Sequence, residues 1–155
     1  MRRGALFGGL IAIFVLGATT IAIGGSDRAL IPSPERIVVI EHADTDAVTD
    51  TGGAGDTAGD LLTFANPVYN AANTTQVGRD QGDCIRIDPA GGKWECRWIT
   101  WLGHGGITVE GPFYDARNSN LAVTGGTGRY ANARGVMHLH AVSATEFRFT
   151  FEIIP

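Results

Sequence analysis

The side chains that could do chemistry fall into a few sets. Cys84 and Cys96 are the two cysteines of the chain. They flank Asp88-Pro89-Ala90-Gly91-Gly92, a turn-forming run. A three-residue turn over Pro89, Ala90 and Gly91, with Gly91 in the left-handed conformation, sets Asp88 opposite Gly92 and Ile87 opposite Lys93. Arg86 then faces Trp94, and Cys84 faces Cys96. Directly opposed cysteines in an exported chain read as a disulfide; two free thiols are the alternative. Alternation places Cys84, Arg86, Trp94, Cys96 and Trp98 on one face of the strand pair. The carboxylates Asp44, Asp46, Asp50 and Asp56 are oxygen ligands of the kind calcium prefers. Their spacing fits no calcium-binding loop and no bidentate Glu follows, so they read as a solvated loop. His138 and His140, at i and i+2 on one strand face, could grip a metal, but no third ligand is near. They read as polar face residues, and no metal is expected. Gly125-Gly126-Thr127-Gly128 lacks the Lys-Ser/Thr and the helix of a phosphate cradle, so it reads as turn and strand-crossing glycine. No cofactor is expected. Asn73-Thr74-Thr75 is a glycosylation sequon, with meaning only in a eukaryotic secretory pathway.

The elements that must position these groups are strands. Apolar and β-branched runs cover Ile37 to Ile40, Leu61 to Tyr69, Gln76 to Ile87, Lys93 to Leu102, Gly106 to Tyr114, Asn120 to Thr124, Gly135 to Val142 and Glu146 to Ile154. Short turn-like separators between the later ones predict a meander. Many of the 22 glycines sit in those separators, as tight turns require. Eight antiparallel strands with one apolar face favour a closed barrel, which leaves no open edge. Eight is also about the number at which a barrel interior holds one small ligand. Phe147, Phe149, Phe151 and Ile153 alternate with polar residues. Their face lines a cavity if it points inward and makes a subunit contact if it points outward. Residues 43–60 are small, acidic and Gly-rich, which predicts a flexible loop.

The N-terminus differs from the rest. Arg2 and Arg3 precede an uncharged apolar stretch from Leu6 to Ile23, the form of an export signal. Residues 1–25 are expected to be a cleaved signal peptide or an uncleaved N-terminal anchor, followed by a Pro-containing linker over residues 26–36 and a domain over 37–155. Either fate makes the domain secreted or extracytoplasmic, with the N-terminal segment its one membrane contact. The net charge of the chain is −4, and loss of Arg2 and Arg3 deepens it by two. Without a basic patch, nucleic-acid binding is not expected.

The stretches Gly59-Asp60-Leu61-Leu62-Thr63-Phe64-Ala65-Asn66, Gly82-Asp83-Cys84-Ile85, Val109-Glu110-Gly111-Pro112-Phe113 and Leu121-Ala122-Val123-Thr124-Gly125-Gly126-Thr127-Gly128-Arg129-Tyr130 resemble the allene oxide cyclase family. Ala133-Arg134-Gly135 is closer to its dirigent relatives. The resemblance runs in order over nearly all of residues 37–154. It implies an all-β, eight-stranded antiparallel, calycin-like barrel, commonly a homotrimer. Its ligand would be a small hydrophobic or phenolic molecule, guided through cyclisation or stereoselective coupling, or simply bound. By the same resemblance Asn66 would hold a water on the reacting oxygen, and Glu41 would be the first-strand carboxylate that steers the developing cation. Phe64, Cys84 and Phe113 would line the cavity, and Trp98 shares the face of Cys84. The chain departs from the family where Glu41 is followed by His42 and Ala43 instead of x-Asn, and where the acidic loop lacks the Ser-Pro of the first loop. For Asn66 the plainer reading is a strand-end amide bonded to backbone, and for Glu41 a solvated carboxylate. A barrel filled by Trp94, Trp98 and other large side chains would have no cavity at all.

Overall fold

The computed structural model describes residues 33–154. The expected export segment and the first part of the linker lie outside the described residues. Ten strands follow one another: β1 (Glu35–His42), β2 (Ala47–Thr49), β3 (Leu61–Phe64), β4 (Pro67–Asn70), β5 (Gln76–Asp88), β6 (Lys93–Leu102), β7 (Gly105–Tyr114), β8 (Ser119–Gly126), β9 (Arg134–Ala141) and β10 (Glu146–Ile154), with a 3-10 turn at Gly128–Tyr130. All pairings are antiparallel. Eight strands close a ring in the order β1, β4, β5, β6, β7, β8, β9, β10 and back to β1. This is the eight-stranded barrel that alternation and spacing predict.

Two strands lie outside that ring. The run expected as one strand from Leu61 to Tyr69 is broken at Ala65 and Asn66. Its second half, β4, pairs with β1 and with one end of β5, while β3 pairs with Gly82–Ile85 of β5 and carries β2 on its other side. Strand β2 was not foreseen, because its three residues are all exposed and show no alternation. Residues 43–60 are otherwise mostly exposed, as their composition requires, yet they are fastened at several points. Asp60 is buried and accepts hydrogen bonds from the Thr51 and Thr57 backbone N–H groups at 3.1 and 2.7 Å. These bonds favour the ionised form and hold its pKa below the usual value. Asp56 accepts two bonds of 2.6 Å from Arg86.

The cysteine hairpin has the expected register with one local correction. Cys84 pairs with Cys96 and Arg86 with Trp94, but a bulge at Ile87 brings Asp88 opposite Lys93. The left-handed turn residue is Gly92, at φ 58°, and not Gly91. The bulge absorbs one residue, so the register beyond it is unchanged. Cys84 and Cys96 form a disulfide, with Cα atoms 4.0 Å apart. Along β6 the residues Trp94, Cys96, Trp98 and Thr100 are buried while Glu95, Arg97 and Trp101 are exposed. On β10 the aromatic face points inward: Phe149, Phe151 and Ile153 are buried in the core. Each large apolar side chain so enclosed stabilises the fold by about 1.5–3 kcal/mol.

Candidate active site

Five of the residues singled out from sequence come together. Glu41 from β1, Phe64 from β3, Cys84 from β5, Trp98 from β6 and Phe113 from β7 line one pocket of the barrel interior. The pocket is small, with a volume of about 40 Å³. A water needs roughly 10–15 Å³ by that measure, so the free space suits a few waters or the edge of a flat molecule. The walls are aromatic. Phe64 meets Trp98 edge-on at 5.9 Å, Trp98 lies 5.6 Å from Phe149, and Phe113 meets Phe147 edge-on at 5.9 Å. Gly82, opposite Trp98 on β5, makes this possible: a Cβ there would stand 2.3 Å from the Trp98 Cβ.

Asn66 does not line the pocket; it holds the group that does. Its side-chain NH₂ donates to Glu41 Oε1 at 2.7 Å and to Asp46 Oδ1 at 2.8 Å. Its carbonyl oxygen accepts from the Thr45 backbone N–H and hydroxyl, both at 2.9 Å. Every hydrogen-bonding position of the amide is engaged, so a water held on its N–H would require one of these bonds to open. The break between β3 and β4 allows this, because it turns Asn66 inward, fully buried, beside the β1–β2 connection.

Glu41 is 6% exposed. Burial pushes its pKa up to about 7, against hydrogen bonds from Asn66 and Asp80 and with help from the charges of Asp46 and Asp44. Asp80, on the inward face of β5, is pushed up to about 9 by burial and then by the Glu41 charge. The two carboxyls titrate as a pair, and burial holds the pair partly protonated at neutral pH. Sequence reading did not single out Asp80, although a signal was there: it lies four residues before Cys84, on the same alternating face. Asp46 was read as loop, because nothing in an acidic Gly-rich run marks one carboxylate as turned inward. Leu62, Cys96, Leu139, Phe147 and Phe149 complete the walls.

The other candidates lie elsewhere. His138 and His140 face outward, hydrogen-bonded to Asn120 and Asn118 at 2.8 Å each. Among the described residues no group of three His, Cys, Asp or Glu side chains is placed to hold a metal. Gly125 and Gly126 end β8, and Gly128 opens the 3-10 turn. Arg86 stacks over Trp94 at 4.2 Å and bonds to Asp56 and Asp115. Those carboxylates hold its pKa above the ordinary value.

The site is thus a closed antiparallel barrel with an aromatic pocket and a buried acid at its wall. The sequence profile of the allene oxide cyclase family matches residues 38–153, and the chain belongs to that family. Among solved structures it is similar to a pyocyanin demethylase, with 26% identity and a TM-score of 0.67 over 77% of this chain and 99% of that one. It shares its fold with a pterocarpan synthase dirigent protein, at 12% identity and a TM-score of 0.66 over 77% and 83% of the two chains. An exo-specific intermolecular Diels-Alderase is also similar, at 15% identity and a TM-score of 0.62 over 79% and 98%.

Proposed function

We propose that the pocket takes a small unsaturated or aromatic molecule and steers its cyclisation or stereoselective coupling. Glu41 is the acid–base group, and Asn66 is a positioning residue that fixes the Glu41 carboxyl. The observation that carries this reading is a carboxyl at the wall of an aromatic pocket with its pKa raised to about 7. A group poised near the working pH both gives and accepts protons efficiently. Ionised, it opposes positive charge developing on a ligand that the pocket shields from water. Membership of the cyclase family supports the same class of reaction.

The first test adds a freshly generated unsaturated fatty-acid allene oxide to the purified protein and to buffer alone, with chiral analysis of the cyclopentenone. An enantiomeric excess is expected with the wild type, and a protein-dependent rate about 100-fold lower with Glu41→Gln. A racemate equal to the buffer control would overturn the cyclisation of that substrate. A second reading is favoured by the 26% identity to pyocyanin demethylase: the ligand is a flat heteroaromatic molecule, slipped between Trp98 and the phenylalanines. Incubation with pyocyanin and detection of a demethylated product tests it. Binding of either compound without turnover would leave a carrier.

The reading includes export. The Cys84–Cys96 bond suits an oxidising compartment. Cell fractionation checks the location, and sedimentation of the purified protein checks the homotrimer that the family implies.

A further inference from the structure

The pocket has acids in its wall and no base. Glu41 and Asp46 both line it, and both accept from the one NH₂ group of Asn66, at 2.7 and 2.8 Å. Asp80 is hydrogen-bonded to Glu41, and the charge of Asp44 also bears on it. None of the ion pairs among the described residues involves any of these four carboxyls. The basic side chains that might have served are engaged elsewhere. His42 lies on the other face of β1, stacked on Tyr69 and bonded to Asn73. Arg86 is held by Asp56 and Asp115. The walls supplied by β3, β5, β6, β7, β9 and β10 carry no ionisable group. Glu41 is thus more than nine-tenths buried, lines the pocket, and meets no counter-ion among the described residues. A buried charge without a counter-ion is costly. A proton is one way to meet that cost, and a cation in the pocket is another.

We propose that the pocket takes an aromatic molecule that carries positive charge, such as an N-alkylated heteroaromatic ring, with the charge set against Glu41 and Asp46. Two features of the same pocket select this class. Opposite charges attract strongly where water is thinned out. Aromatic rings also attract cations, tryptophan best of all, and Trp98 shares the walls with four phenylalanines. A neutral ring would gain the walls and leave the carboxyls unmatched. An anion would have to keep its charge outside the mouth, in solvent. Binding should also move a proton. Glu41 is partly protonated near neutral pH, and a cation beside it favours the carboxylate, so the proton leaves as the cation enters. The inference rests on the reading of the pocket as a ligand site, but not on any reaction there.

The test compares three single-ring probes of similar shape: N-methylpyridinium, toluene and benzoate. Each is titrated into the purified protein by calorimetry at neutral pH, in two buffers of different ionisation enthalpy. The wild-type protein is expected to bind N-methylpyridinium about tenfold more tightly than toluene, and benzoate more weakly than either. Proton release should accompany N-methylpyridinium and not toluene. Glu41→Gln and Asp46→Asn both keep an oxygen for the Asn66 amide. Each should cut the preference for the cation and leave the toluene affinity unchanged, and Glu41→Gln should abolish the proton release. If Glu41→Gln fails to fold, Asp46→Asn and the proton release of the wild type decide. Equal affinity for toluene and the cation overturns the inference and leaves the pocket a ligand site. So does a cation preference that survives in both variants, because the cation then sits elsewhere on an acidic surface. Uptake of no probe overturns the inference together with the reading of the pocket. A protein that prefers the cation yet leaves the allene oxide racemic keeps the inference and loses the proposed cyclisation.

Discussion

Glu41 and Asp80 put two carboxyls inside one barrel, and the consequence is a pH-dependent fold. Burial comes first in raising both, with values of about 7 and about 9. Asp46 adds its charge to both, and Asp44 to Glu41. The pocket residues contributed by β6 and β10, namely Cys96, Trp98, Phe147 and Phe149, add no ionisable group. Because the folded values stand above the ordinary ones of 4.5 and 3.8, the folded state holds more protons than the unfolded state above about pH 4. Their contribution is complete below the ordinary values and is lost as pH rises through the folded ones. Thermal melts should therefore fall from pH 5 to pH 9, at about 1.4 kcal/mol per pH unit for each unmatched proton. A Glu41→Gln, Asp80→Asn double variant should flatten that slope; an equal slope would mean the pair is not protonated in the folded state. Asp60 acts at the other end. Its lowered value stabilises above the ordinary carboxylate range, and that contribution is lost as pH falls.

At the scale of elements, the acidic segment is a strap fastened beside the site. Strand β2 pairs with β3, Thr45 and Asp46 hold Asn66, and Asp56 is clamped by Arg86. Asp56→Ala should speed backbone amide exchange over residues 51–60 and leave β6 to β10 unchanged. Uniform protection across the chain would show that the clamp does not hold the strap. The cysteine hairpin is the opposite case, closed by a covalent bond between strands already in register. A Cys84→Ala, Cys96→Ala variant should lose about 2–4 kcal/mol in denaturant unfolding and keep its fold. The hairpin was legible in the sequence beyond its turn, because a turn length and a period of two determine the pairings from Arg86–Trp94 onward. The bulge at Ile87 was not, because Gly91 and Gly92 are equally able to take the left-handed position, and contacts with Asp115 around Gly92 bear on the choice.

For the whole molecule, closure of the ring puts the inward faces of eight strands against one another, and Phe151, fully buried, sits in that interior. Phe151→Ala should cost about 3–5 kcal/mol, read from urea unfolding, because little around it can collapse into the space. A loss below 1 kcal/mol would mean that the interior is loosely packed. Apart from β2 and the break that divides β3 from β4, the strand runs and the face each apolar residue shares were legible in the sequence, since alternation and turn composition are local properties. The family resemblance likewise marked Glu41, Phe64, Asn66, Cys84 and Phe113 as candidate site residues. Three things waited on the tertiary structure. Closure decided that the Phe147–Ile153 face looks inward, because period two identifies a face without its direction. The break at Ala65–Asn66 brought the Asn66 amide between Glu41 and Asp46, residues distant in the chain. The pairing of the Asp80 and Glu41 carboxyls exists only once the barrel shuts out water, for a polar residue in a strand looks the same in sequence whether its partner is solvent or another side chain.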